Sequence, residues 1–273
     1  MDKKTAYLTI FLLLVAAFLG GSSLAKVKYS EERYLGEKIK QGSGAPPTQP
    51  PFNPPKTQKP EVKFYVMSFC PYGNQAEEGL EPVYQLLKNK VNWQPRYVIY
   101  PDYCANVPSD QKTQCEANYC YKEKGKIYCS MHGLGELNQD VREICAFGQA
   151  QLSSNLSSMD KWWKFVLLVN SKCTSQDVDQ CWLGLAKEAG LDTSQIISCA
   201  QKQKAALLSK EVEESTKDNA NGSPMVFING SLYNGGRAPE DYKKAICSAF
   251  EKEPEECGRI LGKESAGAAG GCN

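Results

Sequence analysis

The chain has 273 residues with 32 basic and 31 acidic side chains, which are spread along the sequence. A chain this close to neutral, without a basic block or an acidic tail, predicts no nucleic-acid partner and no disordered interaction segment. Twelve cysteines occur beside one histidine and without a Cys-x2-Cys pair, so the spacing argues against a zinc site. We therefore expect neither a metal nor another cofactor.

The N-terminal residues predict export from the cytoplasm. Two lysines precede an uncharged, apolar stretch over residues 5–25, and Ser23-Leu24-Ala25 fits a small-x-small cleavage site. Residues 1–25 form either a cleaved signal peptide or a retained membrane anchor, because about 20 uncharged residues also suffice to span a bilayer. In both cases the rest of the chain is secreted or anchored at the outer face of the cytoplasmic membrane, where its cysteines form disulfides.

Three further regions follow this segment. Residues 26–60 are a linker whose second half carries seven prolines and is extended and semi-rigid. Residues 61–257 form the folded domain, and residues 258–273 are a flexible Gly/Ala-rich tail that carries Cys272. A linker of this kind would act as a stalk for the folded domain, which favours a membrane tether through residues 5–25.

The folded domain begins with a strand–helix–strand pattern. Residues 61–69 are apolar on both faces, which predicts a buried strand. Residues 74–88 place apolar side chains on one helical face, and residues 93–100 form a second strand. This order predicts a βαβ unit of an α/β protein. The apolar helical face consists of Ala76, Leu80, Val83 and Leu87.

The rest of the domain adds an insert and a hairpin. The insert spans about residues 101–215. It consists of a cysteine-rich excursion, residues 101–130, followed by a mostly helical region, about residues 136–215. The polar residues 215–223 predict a loop. Strands at Met225–Ile228 and Ser231–Tyr233 flank Asn229-Gly230, which is a strong two-residue hairpin signal, and a final helix follows.

Cys70-Pro71-Tyr72-Gly73 is the candidate reactive motif. Cys70 follows the first strand and opens the first helix, where unpaired N–H groups and the helix dipole stabilise a thiolate. Pro71 exposes the site and donates no backbone hydrogen bond, and Tyr72 either flanks the thiolate or covers the helix end. Because the thiolate attacks disulfides, the motif predicts a thiol–disulfide exchange site. The alternative is a purely structural disulfide at Cys70.

The order βαβ, helical insert, hairpin and final helix resembles the thioredoxin fold, and the position of the insert is similar to that in DsbA-like oxidoreductases. The resemblance covers about residues 61–250 and implies a cis-proline that begins the hairpin strand and faces the reactive cysteine. That position is Pro224, and its neighbour Ser223 would contact the sulfur or the substrate backbone. We expect an α/β, thioredoxin-like fold with a helical insertion and a cysteine-rich, disulfide-stabilised excursion.

A weaker resemblance is to the gamma-interferon-inducible lysosomal thiol reductases. It rests on matching offsets of His132, Gly133, Glu136, Asp140 and Cys145. Leu137 stands where that family has cysteine, and Asp140 stands where it has asparagine. The resemblance implies shared ancestry of the insert. His132 could act as a base for a thiol, but we expect a lone histidine to be structural or solvated.

Gly73 stands where dithiol enzymes of this fold carry their second cysteine. Cys70 then acts as a monothiol, or a cysteine elsewhere resolves its mixed disulfides. Local pairing within three groups uses ten cysteines and leaves Cys70 and Cys272. Cys272 lies on a tail with a root-mean-square reach of roughly 20 Å, so we hypothesise that it resolves Cys70; pairing with Cys257 or with another chain is the alternative. The groups are Cys104, Cys115, Cys120 and Cys129; Cys145, Cys173, Cys181 and Cys199; and Cys247 and Cys257.

These features predict an enzyme, an extracytoplasmic thiol–disulfide oxidoreductase or isomerase that acts on protein thiols and disulfides through Cys70. A membrane redox partner is implied by the resemblance alone. Two alternatives stay open. One is a non-catalytic thioredoxin-fold binding module on the cell surface. The other is a monothiol glutaredoxin-like protein that holds glutathione or an iron–sulfur cluster, which an oxidising compartment disfavours.

Overall fold

The computed structural model describes residues 52–152 and 156–262. The predicted signal peptide or anchor, the linker as far as residue 51, and the tail from residue 263 onward, with Cys272, lie outside these residues. The described residues belong to one compact unit, which begins at Phe52. Within them, no helix is long and apolar enough to cross a membrane.

The predicted βαβ unit is present. β1 spans Glu61–Val66, α1 spans Pro71–Leu87 and β2 spans Asn92–Tyr97. β1 and β2 are parallel, with Phe64 opposite Pro95, and two parallel strands require a crossover connection of this kind. α1 buries the apolar face that its sequence predicts, which includes Leu80.

The insert consists of a small sheet and five helices. In the excursion, α2 (Ser109–Tyr119) precedes the antiparallel strands β3 (Cys120–Glu123) and β4 (Lys126–Cys129). Tyr100 and Cys129 exchange two backbone hydrogen bonds of 2.9 Å, so the excursion is tied to the chain just after β2. The helical block contains α3 (Leu134–Leu152), α4 (Leu156–Lys172), α5 (Val178–Glu188) and α6 (Thr193–Asp218).

The hairpin and the last helix complete the main sheet. β5 (Met225–Ile228) and β6 (Ser231–Tyr233) have the predicted bounds, and α7 spans Pro239–Ser248. The strand order is β2–β1–β5–β6, and β5 runs antiparallel to β1. Asn229 has a φ of 48°, which a two-residue hairpin turn needs and which asparagine tolerates better than most residues. This mixed sheet with its helical insertion is a thioredoxin-like fold.

Aromatic side chains join the insert to the sheet. Trp162 and Trp163 of α4 are buried and lie 6.4 and 5.7 Å from the ring of Phe64 in β1, measured between ring centroids. Trp163 also meets Trp93 of β2 edge-on. Buried aromatic residues dominate the energetics of a core. The insert and the sheet therefore share one hydrophobic core.

Several predicted boundaries differ from those in the structure. β1 ends at Val66 and not at residue 69, α1 begins at Pro71 and not at residue 74, and β2 is centred N-terminal to the predicted 93–100. α6 continues to Asp218, although residues 215–223 predict a loop. Polar side chains in its last turn, such as Thr216 Oγ1, donate to the Val212 carbonyl and satisfy it locally.

Residues 52–60, at the end of the predicted linker, pack on the domain. The N–H of Thr57 donates to the carbonyl of Ala249, and the carbonyl of Thr57 accepts from the N–H of Glu251, both at 2.9 Å. The ring of Phe52 meets Tyr233 edge-on with centroids 5.3 Å apart. The folded part of the chain therefore begins upstream of residue 61.

Ten cysteines pair within the three groups that the sequence predicts. Four disulfides join residues 8 to 11 positions apart, whereas Cys145–Cys199 joins α3 to α6 across 54 positions. A disulfide that closes a longer loop removes more entropy from the unfolded chain. The other four pairs are Cys104–Cys115, Cys120–Cys129, Cys173–Cys181 and Cys247–Cys257.

Candidate active site

Cys70 lies at the N-terminus of α1, between β1 and the first helical residue, Pro71. Its backbone is extended, and its carbonyl accepts a hydrogen bond from the N–H of Asn74 at 2.9 Å. Pro71 has no N–H, so it removes one of the donors that the first turn of a helix leaves without an intrahelical partner. The side chain of Cys70 is fully buried and disulfide-bonded, and none of the five disulfides above includes it.

Ser223 and Pro224 lie against Cys70. The Ser223–Pro224 peptide bond is cis, as the thioredoxin resemblance implies. The Sγ of Cys70 lies 3.4 Å from the carbonyl oxygen of Ser223, a residue 153 positions further along the chain. The hydroxyl of Ser223 accepts a hydrogen bond from the N–H of Met67 at 3.0 Å. The fold thus brings together the two segments that the sequence selects.

Gly73 is required by the position of Ser223. A Cβ atom on residue 73 would lie 2.6 Å from Ser223 Oγ and 3.3 Å from the carbonyl oxygen of Met67. The first distance is shorter than any normal contact, and Ser223 is 1% exposed, so its hydroxyl has little room to move. The space that a second motif cysteine would need is therefore filled by the serine that precedes the cis-proline.

We expect Gly73→Ala to lower the free energy of unfolding by about 1–3 kcal/mol, because the new methyl displaces Ser223 Oγ from the Met67 N–H. Ser223→Ala removes the obstructing oxygen, so the double variant should lose less than the sum of the two single losses. A double-mutant cycle by urea denaturation measures this coupling. Strictly additive losses would show that the contact between residues 73 and 223 is not the reason why residue 73 is glycine.

Two carboxyl groups of α3 hold the loop before Cys70. Asp140 Oδ1 accepts from the N–H and the hydroxyl of Ser68 at 3.1 and 2.6 Å, and Glu136 Oε1 accepts from the N–H of Phe69 at 2.8 Å. Because Ser223 binds the N–H of Met67, every backbone N–H of residues 67–69 has a side-chain acceptor. This network fixes the backbone that leads into the reactive motif.

Glu136 also holds the end of the excursion. Its Oε2 accepts from the hydroxyl of Ser130 and, at 3.1 Å, from the N–H of His132. His132 Nδ1 lies 2.9 Å from Oε1, and this hydrogen bond raises the pKa of His132 above its usual value. Glu136, which is fully buried, therefore connects the excursion to the Cys70 loop, and His132 is hydrogen-bonded to this carboxyl group.

A row of buried carboxyl groups continues along α3 behind the motif. Burial, and then the charge of Glu136, raises the pKa of Asp140 well above its usual range. Burial also raises the pKa of Glu143 to about 7, although hydrogen bonds from Gln139 and Tyr97 oppose the shift. Positions 136, 140 and 143 recur at helical spacing on a buried face, and this periodicity was the signal in the sequence that could have identified them as site residues.

Glu77 of α1 forms a fourth buried carboxyl group. Burial, and then the charge of Glu143, raises its pKa well above the usual range. Its Oε2 accepts from Asn170 Nδ2 at 2.7 Å. Glu77 Oε1 and Asn170 Oδ1 are buried and have no hydrogen-bond partner among the described residues. A protonated Glu77 could donate to Asn170, which would form a two-bond acid–amide pair and satisfy both oxygens.

Glu77→Gln should remove part of the pH dependence of stability. The raised pKa of Glu77 means that its contribution is fully present below the unfolded-state pKa near 4 and is lost as pH rises through the folded-state pKa. Glutamine cannot ionise and can make both hydrogen bonds to Asn170. The variant should therefore gain stability relative to wild type between pH 5 and pH 8, as measured by urea denaturation. Exposed Glu78→Gln is the charge-matched control, and a Glu77→Gln profile parallel to wild type would refute the assignment.

Arg237, which the sequence analysis did not single out, contacts the motif helix. Its guanidinium lies 5.3 Å from the ring centroid of Tyr72, a cation–π contact. Its carbonyl oxygen would lie 2.2 Å from a Cβ on Gly79, so glycine permits the chain before α7 to approach α1. A lone arginine in a Gly-rich loop carries no sequence signal for this contact.

The described part of the tail ends beside this contact. The N–H of Leu261 donates to Glu240 Oε2 at 2.8 Å, and Lys243 Nζ donates to the carbonyl of Arg259. Glu240 and Lys243 lie in the first half of α7, directly after Arg237. The last described residues therefore lie against the first half of α7, a helix that packs on α1.

A cavity of about 260 Å³ adjoins Pro224. Its walls include Tyr233, Arg237 and Tyr242, so it combines aromatic rings with one cation. A larger cavity of about 620 Å³ lies between β2, α3 and α6 and includes neither Cys70 nor Pro224. We assign the smaller cavity to the candidate site because its wall includes Pro224, which follows the residue that contacts the Cys70 sulfur.

The fold and the arrangement of Cys70 and cis-Pro224 define a thioredoxin-like domain. A comparison with protein families matches residues 74–247 to the vacuolar sorting receptor thioredoxin-like domain. This segment is well over half of the chain, and the chain belongs to this family. The matched segment contains Ser223 and Pro224 and begins directly after Gly73.

Three of the solved structures that are similar to the chain illustrate the range of the match. They are the disulfide bond oxidoreductase DsbG and oxidised DsbA of Mycobacterium tuberculosis, and oxidised BdbD of Bacillus subtilis. DsbG is 16% identical over 76% of this chain and 88% of its own, with a TM-score of 0.47. DsbA is 18% identical over 78% of this chain and 90% of its own, with a TM-score of 0.48. BdbD is 14% identical over 71% of this chain and 91% of its own, with a TM-score of 0.44. Since these scores are low, the fold assignment rests on the topology and the family match. A comparison with curated protein sequences finds no match.

Proposed function

We propose that the protein catalyses thiol–disulfide exchange on exported protein substrates, with Cys70 as the nucleophile. The observation that carries the proposal is the contact of the Cys70 sulfur with the Ser223 carbonyl, next to a cis-proline and at a helix N-terminus. The helix dipole and the unpaired N–H groups of the first turn favour the thiolate. Pro71 has no N–H of its own and sets the start of the helix, and Gly73 makes room for Ser223.

Substrate binding is assigned to the segment around Pro224. An extended peptide that passes Ser223 and Pro224 would bring its sulfur to Cys70 and pair with exposed backbone by strand addition. Tyr72 and Arg237 would then border the peptide on the side of α1. Pro71 is exposed and Pro224 is partly exposed, so both can contact a substrate directly.

Cys272 is the proposed resolving cysteine and the disulfide partner of Cys70. Ten of the twelve cysteines pair with one another, and the tail leaves the described residues near α1. The ten residues from 263 to 272 span roughly 33 Å when extended. In reduction, the Cys70 thiolate attacks a substrate sulfur and expels the other sulfur as a thiolate. The Cys272 thiolate then attacks Cys70 Sγ, which releases the substrate as a dithiol and leaves Cys70–Cys272 oxidised.

Reaction of the reduced full chain with a peptide disulfide tests this mechanism. Wild type should exchange, Cys70→Ser should lose at least about 100-fold of the rate, and Cys272→Ser should accumulate the Cys70–peptide mixed disulfide. The double variant Cys247→Ser/Cys257→Ser is the control, because it removes a pair outside the site. A Cys70→Ser variant that reacts like wild type would refute the catalytic role of Cys70. If Cys272→Ser releases peptide at the wild-type rate, Cys272 does not resolve.

A binding module is the second candidate, and the full burial of the disulfide-bonded Cys70 favours it. The family name, that of a sorting receptor domain, also agrees with binding without catalysis. In that case the Cys70 disulfide should stay intact in a glutathione buffer that reduces exchange enzymes. Quantitative alkylation of Cys70 after brief mild reduction would instead support the enzyme.

An extracytoplasmic location accords with the proposal. Five disulfides between described residues suit an oxidising compartment, and residues 5–25 would provide the export signal or the membrane tether. We also propose that a membrane redox partner restores the Cys70 pair after each cycle. Detergent partitioning of the full chain, compared with a chain that begins at residue 26, tests the tether.

A further inference from the structure

The excursion places two disulfides in direct contact. Cys104 Sγ, bonded to Cys115, lies 3.7 Å from Cys120 Sγ, which is bonded to Cys129. The sulfurs of Cys104, Cys120 and Cys129 all lie within 4.8 Å of one another. Since none of these sulfurs carries a hydrogen, the 3.7 Å approach is a van der Waals contact between two disulfides. If Cys104 became a thiolate, an intact disulfide would lie within reach.

The two disulfides differ in access from solvent. Cys104, Cys120 and Cys129 are 2%, 7% and 0% exposed, whereas Cys115 is only partly buried on the short helix α2. An external thiolate therefore reaches Cys115 before any other sulfur of the group. Attack there expels Cys104 as the leaving thiolate, at the sulfur that touches the second disulfide.

The position of Cys120 selects the next sulfur to leave. Cys120 caps the C-terminus of α2, where its N–H donates to the carbonyl of Glu116. The negative end of the helix dipole disfavours a thiolate at Cys120. Cys104 should therefore attack Cys120 Sγ, the nearest sulfur, and expel Cys129 rather than the reverse.

We propose that the excursion is a second thiol–disulfide exchange centre, in which Cys104 transfers an electron pair from the partly buried Cys115 to the fully buried Cys129. A dithiol reductant forms a mixed disulfide with Cys115 and releases the Cys104 thiolate. That thiolate bonds to Cys120 and releases the Cys129 thiolate. The second thiol of the reductant frees Cys115 and closes the reductant disulfide. Two electrons enter, thiols form at Cys115 and Cys129, and a Cys104–Cys120 disulfide replaces the two original ones.

The centre lies beside the site already described. Cys129 precedes Ser130, whose hydroxyl donates to Glu136, and Glu136 binds the N–H of Phe69 next to Cys70. When Cys120 bonds to Cys104, the Cys120–Cys129 disulfide that joins β3 to β4 is broken next to Ser130. The proposal does not depend on catalysis by Cys70, because its chemistry uses the excursion alone.

Partial reduction of the full chain tests the proposal. The oxidised protein is treated with limiting dithiothreitol, quenched in acid, alkylated and mapped by mass spectrometry. We expect a species that is alkylated at Cys115 and Cys129 and cross-linked between Cys104 and Cys120. The Cys173–Cys181 pair is the internal control and should gain both labels together. Alkylation of Cys104 and Cys115 together, with Cys120–Cys129 intact, would overturn the proposal.

Two matched variants test the internal step without a reductant. Cys115→Ser leaves Cys104 as a thiol against the second disulfide, so label at pH 8 should divide between Cys104 and Cys129. Cys104→Ser leaves a thiol at Cys115, whose sulfur is outside the close group of three, and the label should stay on Cys115. Label confined to Cys104 in Cys115→Ser would refute the transfer. Unchanged Cys145–Cys199 linkage in both variants verifies that the domain is folded.

Discussion

Replacing Cys145 and Cys199 together by alanine should lower the free energy of unfolding by about 4 kcal/mol, the chain-entropy value for a loop of this length. The disulfide spans 54 positions and joins α3 to α6. Without it, the unfolded chain gains freedom over most of the helical insert. Urea denaturation of wild type and the double variant measures the loss from the change in midpoint at constant slope.

The matched control for this prediction is Cys173→Ala/Cys181→Ala. That disulfide spans 8 positions, so the same model gives a smaller loss of about 2.5 kcal/mol. Both double variants remove two sulfurs and create two alanines in the helical insert. Equal losses, or a larger loss for the short loop, would show that strain or packing outweighs the entropy of the unfolded chain.

Glu136→Ala should lower the free energy of unfolding by roughly 3–5 kcal/mol, because it leaves one buried and two half-buried donors without an acceptor. These donors are the N–H of Phe69, the hydroxyl of Ser130 and the N–H of His132. We also expect the loop before Cys70 to loosen, which hydrogen exchange at the Ser68 and Phe69 amides would detect as lost protection.

Two further variants test whether the acceptor oxygens of Glu136 cause the loss of stability and the loss of amide protection. Glu136→Gln keeps one acceptor oxygen, so it should lose less stability than the alanine variant and protect the Phe69 amide better. Glu78→Ala removes an exposed glutamate of α1 and should change stability by less than about 0.5 kcal/mol. If Glu136→Ala leaves both the stability and the exchange of the Phe69 amide unchanged, Glu136 does not hold the loop.

Local sequence signals were sufficient for the strands of the hairpin and for the helix face that begins at Ala76. Asn229-Gly230 forces a tight turn, and the bounds of β5 and β6 agree with the prediction because turn chemistry sets register locally. The cysteine groups were also predictable, since most pairs close short loops. The end of β1 was not, because side chains from distant segments accept from the N–H groups of residues 67–69. The end of α6 was not, because polar side chains of its last turn donate to a carbonyl of the same helix and leave its backbone hydrogen bonds in place.

The candidate site likewise contains residues that the sequence selected and residues that only the structure identified. The sequence selected Cys70 from its place between a strand and a helix, and Pro224 from the fold that this order implies. It did not assign a site role to Glu136 or Asp140, although their helical spacing was a signal, and it carried no signal for Arg237, because these roles depend on contacts with residues far away in the chain. Only the fold buries the two carboxyl groups and places Arg237 beside the motif.

The sequence by itself determined the α/β class from its periodicity, and the hairpin and the cysteine groups from turn chemistry and short loop closure. The cis-proline position followed from the thioredoxin resemblance, and Cys70 stays the proposed reactive cysteine. Only the tertiary structure decided why residue 73 is glycine, which carboxyl groups hold the Cys70 loop, and that two disulfides of the excursion touch. These features arise where segments that are remote in sequence meet at van der Waals or hydrogen-bond distance, and no local pattern encodes such distances.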